Sequence, residues 1–467
     1  MSDKKDIRRI INARIVTPDD EVFGTAEINQ GIITDIIPQE KNVSREDPCV
    51  FDARGAYLVP GGIDAHVHFG GFGPPKIADT FETGSRAALS GGTTTVMDFC
   101  ESEAGESPEH CIDRRMKDAE TSYCDYRFHF VLTKDYRRQL DQLDYLRSRG
   151  IRDYKLFTVY DNTDLTYDQI GDIFQTMKDD PPATFLVHAE DPEIIRQSEE
   201  KIRKSPHDEH DMLLHAVSRP ARAEAEAVRK ILQLASEHPV SVCIAHVSAG
   251  ETLEIMDQVP PALSHDIEDG RSCRFLFESC PHYFEFQQDR LSGEEGNLFV
   301  MTPPLRKAED SRRLWEGLSN GRISILSTDH CPYHIPDLTG KNWDQIPCGV
   351  DGTGIRMLYF YSEGVVKRGL SMRQYVRLTS ENAARFYHLY PKKGAIAPGS
   401  DADLTLIDPE GQSLIHTGTD PLGCGIDHSI YEKKQLSGII TAVFKGGVLA
   451  FDGRDVLTKP GSGRYLG

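Results

Sequence analysis

Six polar residues each close an apolar run: His66 and His68 in LVPGGIDAHVHF, Lys155 in DYKLF, His188 in TFLVHAE, His246 in VSVCIAHV and Asp329 in ISILSTDH. Imidazole nitrogens and carboxylate oxygens are the usual ligands of borderline divalent cations. Residues two apart in a strand face the same way, so His66 and His68 can aim two nitrogens at one point. With seventeen histidines in the chain, such a pair could also be a polar strand end without chemical meaning. His188 and His246 each read equally as hydrogen-bonded core histidines, and Asp329 as a turn cap. Taken together they read as a metal centre, because four histidines and an aspartate crowded into one concave site are costly unless something pairs them. Lys155 is the odd member. An ammonium has no lone pair to give a metal, so by residue type it is an ion-pair partner for a carboxylate such as Asp329.

The elements that must position these residues alternate. Eight apolar runs separated by helix-like stretches read as strands: LVPGGIDAHVHF, TTTVMDF, RFHFVLT, DYKLF, TFLVHAE, VSVCIAHV, FLFESC and ISILSTDH. That count and alternation predict a (β/α)8 TIM barrel. In such a barrel the reactive residues stand at the C-terminal ends of the strands, where all six candidates fall. The helix-like run DTFETGSRAALS stops at Gly91-Gly92. Both chain ends are β-rich. IRRIINARIV and AEINQGIITDIIP flank the turn signal PDDEVFG, and GIITAVFKGGVLAFDG carries a Lys-Gly-Gly turn. The reading is a small β-sandwich domain built from residues 1–58 and 395–467, around a catalytic barrel of residues 59–394.

The 467 residues suit a large barrel plus a satellite domain. Net charge is −20, which argues against nucleic acid, since a phosphate backbone calls for a Lys/Arg surface. No apolar run is long enough to span a bilayer and the N-terminus has no signal-peptide pattern, so the expectation is a cytoplasmic protein with no membrane partner. The ten cysteines show no C-x-x-C pair. Cys100, Cys243, Cys280 and Cys331 sit in or beside apolar runs and are expected as reduced, buried thiols.

PGGIDAHVHF, ETGSRAALSGGTTTVMDF, KLFTVY, VHAED, AHVS, ESCPHY, MTPPLR, STDHCPY and DADLTLIDP together resemble the cyclic amidohydrolase branch of the amidohydrolase superfamily. The chain is most similar to the hydantoinase/dihydropyrimidinase family, over nearly its whole length. The resemblance implies two divalent metal ions, expected to be Zn2+. His66, His68 and Asp329 would hold one, and His188 and His246 the other. Lys155 would bridge them as N6-carboxylysine, formed with carbon dioxide or bicarbonate, beside a hydroxide that acts as nucleophile. Asp329 would be general base and then acid, and Tyr160, five residues after Lys155, would donate to the oxyanion. Where the family holds the imide ring with a Ser and an Asn, this chain has Thr302 and Cys348. Backbone contacts survive such changes, but the pocket wall differs.

The implied reaction is hydrolysis of the cyclic amide bond of a hydantoin or dihydropyrimidine, giving an N-carbamoyl amino acid, in a homotetramer. Dihydroorotases commonly place an Arg after H-x-H to pair a substrate carboxylate. Here Phe69-Gly70-Gly71 follow His68. Allantoinases resemble the chain less around KLFTVY and lack the matching Tyr. Dihydropyrimidinase-related binding proteins have lost ligands that this chain keeps. Substrate range is expected to depend on the mouth loop 70–79 and the stretch after Tyr160.

Overall fold

A computed structural model describes residues 7–39, 47–71, 75–103, 105–160, 163–179, 183–238, 240–264, 267, 274–418 and 425–467. Two eight-stranded sheets organise it. The first is made from both chain ends. Its strands are β1 (Arg9–Val16), β2 (Glu21–Asn29), β3 (Ile32–Pro38), β4 (Val50–Asp52) and β5 (Tyr57–Pro60) from one end. From the other come β14 (Leu404–Leu414), β15 (Gln435–Lys445) and β16 (Val448–Phe451). The order is β16-β15-β14-β5-β1-β2-β3, with β4 beside β1. The two ends meet where β14 runs antiparallel to β5. Ile10, Ile15, Ile33, Leu58, Leu404, Leu406 and Phe444 are buried in its core.

Two local expectations are refined here. The turn before β2 is confined to residues 17–20, where the Thr17 hydroxyl donates to the Asp20 carbonyl at 2.8 Å. The β-rich stretch AEINQGIITDIIP is a hairpin, because Gln30 and Gly31 take φ of 51° and 79° and turn the chain between β2 and β3. The Lys-Gly-Gly turn stands as read, with Gly446 and Gly447 at φ of 55° and 75° between β15 and β16.

The second sheet is the barrel: β6 (Gly62–Asp64), β7 (Thr93–Cys100), β8 (Asp125–Val131), β9 (Asp153–Phe157), β10 (Thr184–His188), β11 (Ser241–Ile244), β12 (Phe275–Ser279) and β13 (Ile325–Leu326). These are the eight predicted runs, paired in parallel and in sequence order. LVPGGIDAHVHF, however, contributes to both sheets. Tyr57–Pro60 pairs in the first, and the barrel begins at Gly62. Alternation sorts the strand side chains. Met97 and Phe99 of β7 join Ile63, Val131, Leu186, Cys243, Leu276 and Ile325 in the lumen, where Phe386 and Tyr387 also pack. Val96 and Cys100 face the surrounding helices.

Closure comes beyond the ends of β13 and β6. The Asp329 N–H donates to the His66 carbonyl and the His68 N–H to the His330 carbonyl, both at 2.9 Å. The helix Phe81–Ser90 starts at a Thr80–Thr83 capping box and stops at Gly91. A Cβ on Gly91 would sit 2.3 Å from the Gly354 carbonyl oxygen, so only glycine fits that stop. No helix among the described residues is long and apolar enough to cross a membrane.

Below the barrel, the buried Lys393 ties the two units together. Its ammonium lies 2.6 Å from Asp125 of β8 and 3.0 Å from Asp401, and also pairs with Asp403.

Candidate functional site

All nine sequence-singled residues — His66, His68, Lys155, Tyr160, His188, His246, Thr302, Asp329 and Cys348 — line one cavity of about 470 Å3 at the C-terminal mouth of the barrel. Asp329 is central. Its Oδ1 lies 3.1 Å from Nε2 of His66 and 3.2 Å from Nε2 of His68. Burial pushes its carboxyl up, but the charge of His66 and hydrogen bonds from both histidines outweigh that and hold it well below the usual carboxylate range. Across the cavity, His188 Nδ1 faces His246 Nε2 at 3.0 Å. Lys155 is buried with its ammonium 5.3 Å from the Phe99 ring and 5.0 Å from Phe157. Burial, only partly offset by Asp329 and Glu278, pushes its pKa down to about 8.

Three of these residues hold left-handed backbone that non-glycine residues seldom adopt: Tyr160 at φ 90°, His246 at 38° and Asp329 at 49°. Such conformations persist where surrounding structure imposes them, and they concentrate at functional sites. Each here turns the chain two or three residues beyond the end of a barrel strand, at the mouth.

The carboxylates that orient the histidines were not singled out in the sequence. Glu278 accepts from His66 Nδ1 at 2.8 Å and from the Ser327 hydroxyl at 2.9 Å. Glu190 accepts from His188 Nε2 at 2.9 Å and from Arg219 at 2.6 Å. Each carboxylate fixes which ring nitrogen carries the proton and leaves the other nitrogen's lone pair facing the cavity. A signal was available. Glu278 is a lone carboxylate inside the apolar run FLFESC, and Glu190 follows His188 at the same spacing that links His66 to His68.

The residues fit a bound cation. A cation can take the place of the His66 charge: a neutral His66, its Nδ1 proton held by Glu278, turns the Nε2 lone pair toward Asp329 Oδ1, and two such acceptors 3.1 Å apart call for a positive charge between them. His246 Nδ1 and Lys155 Nζ are buried without a hydrogen-bond partner, which is costly unless the space is filled. His66, His246 and Asp329 each offer a ligand atom within 4.8 Å of the others. A second trio at that spacing, Asp125, Asp401 and Asp403, surrounds the Lys393 ammonium and is already neutralised by it.

The remaining wall mixes polar side chains with the apolar Ile77, Phe99, Phe157 and Ile346. Tyr160 is 41% exposed at the rim. Burial of its hydroxyl end, chiefly, raises the phenol above its ordinary value and keeps the O–H available to donate. Thr302 Oγ1 lies 3.3 Å from His215 Nε2, and the Cys348 thiol donates to the Ile346 carbonyl at 3.4 Å. Arg115 lines the cavity although no Arg follows His68, but each of its three nitrogens is committed: to the Phe99 carbonyl at 3.0 Å, to Asp118 at 2.8 Å, and to the Phe69 carbonyl and Asp98 at 2.9 and 2.8 Å. Cys100, Cys243 and Cys280 are buried free thiols as expected. Cys331 is only half-buried, because it follows the end of β13 into the mouth and lines the cavity. Of the mouth segments expected to set substrate range, residues 72–74 and 161–162 lie outside the described residues.

Residues 57–450 match the Amidohydrolase family, and the chain belongs to it. Within it, the chain is a member of the hydantoinase/dihydropyrimidinase branch. It is 31% identical to a D-hydantoinase of Streptomyces coelicolor, over 97% of this chain and 96% of that protein. It is 30% identical to a D-hydantoinase of Geobacillus stearothermophilus, over 98% and 95%. The solved dihydropyrimidinase from Brevibacillus agri superposes with a TM-score of 0.88 at 30% identity, covering 98% of both chains.

Proposed function

We propose that this protein hydrolyses the cyclic amide bond of a hydantoin or dihydropyrimidine ring and releases an N-carbamoyl amino acid. The carrying observation is the convergence of four histidines, Asp329 and an unpartnered buried lysine in one barrel-mouth cavity. In this reading His66, His68 and Asp329 hold one divalent cation, and His188 and His246 a second. Zinc is the expected metal for an imidazole-rich set. When bound, the cations supply Lewis acidity toward the scissile carbonyl and toward water.

Lys155, once carbamylated, would help to hold both cations. With a pKa of about 8, a useful fraction of its amine is neutral near pH 7. That amine adds to carbon dioxide: an N–C bond forms, a proton leaves to water, and the side chain becomes an anionic carbamate. Asp329 takes a proton from the attacking water and returns it to the departing ring nitrogen. Tyr160 donates its O–H to the oxygen that gains charge as the carbonyl becomes tetrahedral. Backbone groups at Thr302 and Cys348 hold the imide. The domain division at residues 58–59 and 394–395, a cytoplasmic location and a homotetrameric assembly belong to the same reading, and light scattering tests the last.

The decisive experiment is a turnover panel of hydantoin, 5-substituted hydantoins, dihydrouracil, dihydroorotate and allantoin, with metal content measured on the same preparation. Ring opening of the first three supports the proposal. Activity confined to dihydroorotate and allantoin would move the protein to another branch. A metal-free protein, inactive even with zinc and bicarbonate added, would remove the enzymatic reading.

A further inference from the structure

Glu101 is the residue immediately after β7, at the same end of the barrel as the histidines. It lines the site cavity together with Asp98, Phe99 and Thr163. It also lines an adjoining cavity of about 400 Å3, whose wall includes Ser102, Thr133, Lys134 and Gln139. Glu101 and Thr163 are common to both, so the two spaces meet at this carboxylate. The second space lengthens the site beyond what a five- or six-membered ring requires, and its wall is polar.

No side chain or backbone group among the described residues pairs with the Glu101 carboxylate. Its backbone is fixed, because the Glu101 carbonyl accepts from Arg114 at 3.0 Å. The nearby cations are spent elsewhere. Arg114 forks onto Glu106 at 3.0 and 2.9 Å. Arg115 is fully committed, as described above, and the Lys134 ammonium lies 2.6 Å from Asp164. It is a half-buried carboxylate facing open space, with Arg114, Arg115 and Lys134 each paired to another acid and Arg138 of the same wall 3.6 Å from Asp135, and it has room for a positive partner. Burial, acting against the charges of Arg115, Arg114 and Lys155, pushes its carboxyl up, which marks the cost of leaving it unpaired.

We propose that Glu101 is a specificity-determining residue that selects cyclic amides whose ring substituent ends in a cation, an ammonium or a guanidinium. The inference rests on the cyclic-amide reading above and names its substrate class. The ring occupies the histidine-lined cavity, and the substituent extends along the polar adjoining space to the carboxylate. A charge-assisted contact at a half-buried site falls between the values for exposed and buried pairs, which sets the expected selectivity at about tenfold.

The test uses the metal-loaded enzyme and three hydantoins: one with an aminobutyl substituent, its N-acetylated form, and the plain butyl analogue. The expected result is a kcat/KM for the aminobutyl substrate about tenfold above the other two, carried mainly by KM and shrinking as salt is added. Glu101→Gln removes that ratio, and Glu101→Lys shifts the preference to a carboxybutyl substrate, with circular dichroism and melting temperature confirming that both variants fold. Equal kcat/KM for all three substrates, or a ratio unchanged in both variants, overturns the role of Glu101 while leaving cyclic amide hydrolysis standing. Turnover of none of them, with hydantoin itself also inert, overturns the cyclic-amide reading and this inference with it.

Discussion

Glu278 holds His66 from behind: its Oε1 lies 2.8 Å from Nδ1, while Nε2 of the same ring faces Asp329 at 3.1 Å. The carboxylate thus sets both tautomer and ring angle. Glu278→Gln keeps the shape but can offer an amide N–H to a nitrogen that needs an acceptor. Zinc affinity should fall about 10- to 100-fold, as for other orienting partners of metal-binding histidines. Competition with a chelating dye reads this directly, and unchanged affinity would reduce Glu278 to a packing role.

Lys155→Ala should lose the bridging group and with it metal content and activity. Short carboxylic acids, small enough to occupy the vacated space, should restore part of both. Elemental analysis with and without added acetate or propionate checks this. Full metal content in the variant without additive would take Lys155 out of the centre.

Tyr160→Phe removes one hydroxyl from a rim residue, so the fold should be untouched. If the hydroxyl serves the tetrahedral oxygen, kcat should drop about 100-fold or more with KM little changed. A rise in KM alone would make Tyr160 a binding residue only.

Much of this was legible in the sequence, for identifiable reasons. Strand alternation and the barrel rule put His66, His188, His246 and Asp329 at strand ends, where the structure has them. Lys155 was legible only as a charged residue at a strand end, since residue type alone does not give an amine the chemistry of a carboxylate. Glu190, Glu278 and Glu101 passed unnoticed because a glutamate after an apolar run reads as a solvated turn until its partners, or the lack of them, are seen. The split of LVPGGIDAHVHF was also hidden. Hydrophobicity marks both halves as buried strand, but the switch of sheet is made by backbone pairing, as Gly61 donates to the Asp403 carbonyl at 2.8 Å and Gly62 to the Gly92 carbonyl at 2.9 Å.

His282, in ESCPHY, is buried with neither ring nitrogen hydrogen-bonded. Burial pushes its pKa down to about 4 from 6.5. The unfolded chain therefore takes up a proton below pH 6.5 that the folded chain refuses until about pH 4, and acidification through that window favours unfolding. His282→Phe keeps a ring against Tyr283, whose centroid is 4.2 Å away, and abolishes the titration. Between pH 7 and pH 5 the variant should lose about 2 kcal/mol less stability than the parent. Urea midpoints at the two pH values and equal metal loading measure the difference, and parallel losses would count against a neutral buried imidazole.

The closure of the barrel bears on how this scaffold can diversify. Its last strand is two residues long, and the wall is completed by the backbone of His66, His68, Asp329 and His330. An insertion or deletion there would unseat the reactive side chains and open the wall in one stroke, so those segments are locked in length. The mouth loop beside them is pinned at its ends, where Gly70 N–H donates to the Asp79 carbonyl at 2.6 Å and Ala78 N–H to the Pro332 carbonyl at 2.8 Å. A change in length between those two ends leaves the wall standing, so the loop can be rewritten while the frame is inherited intact.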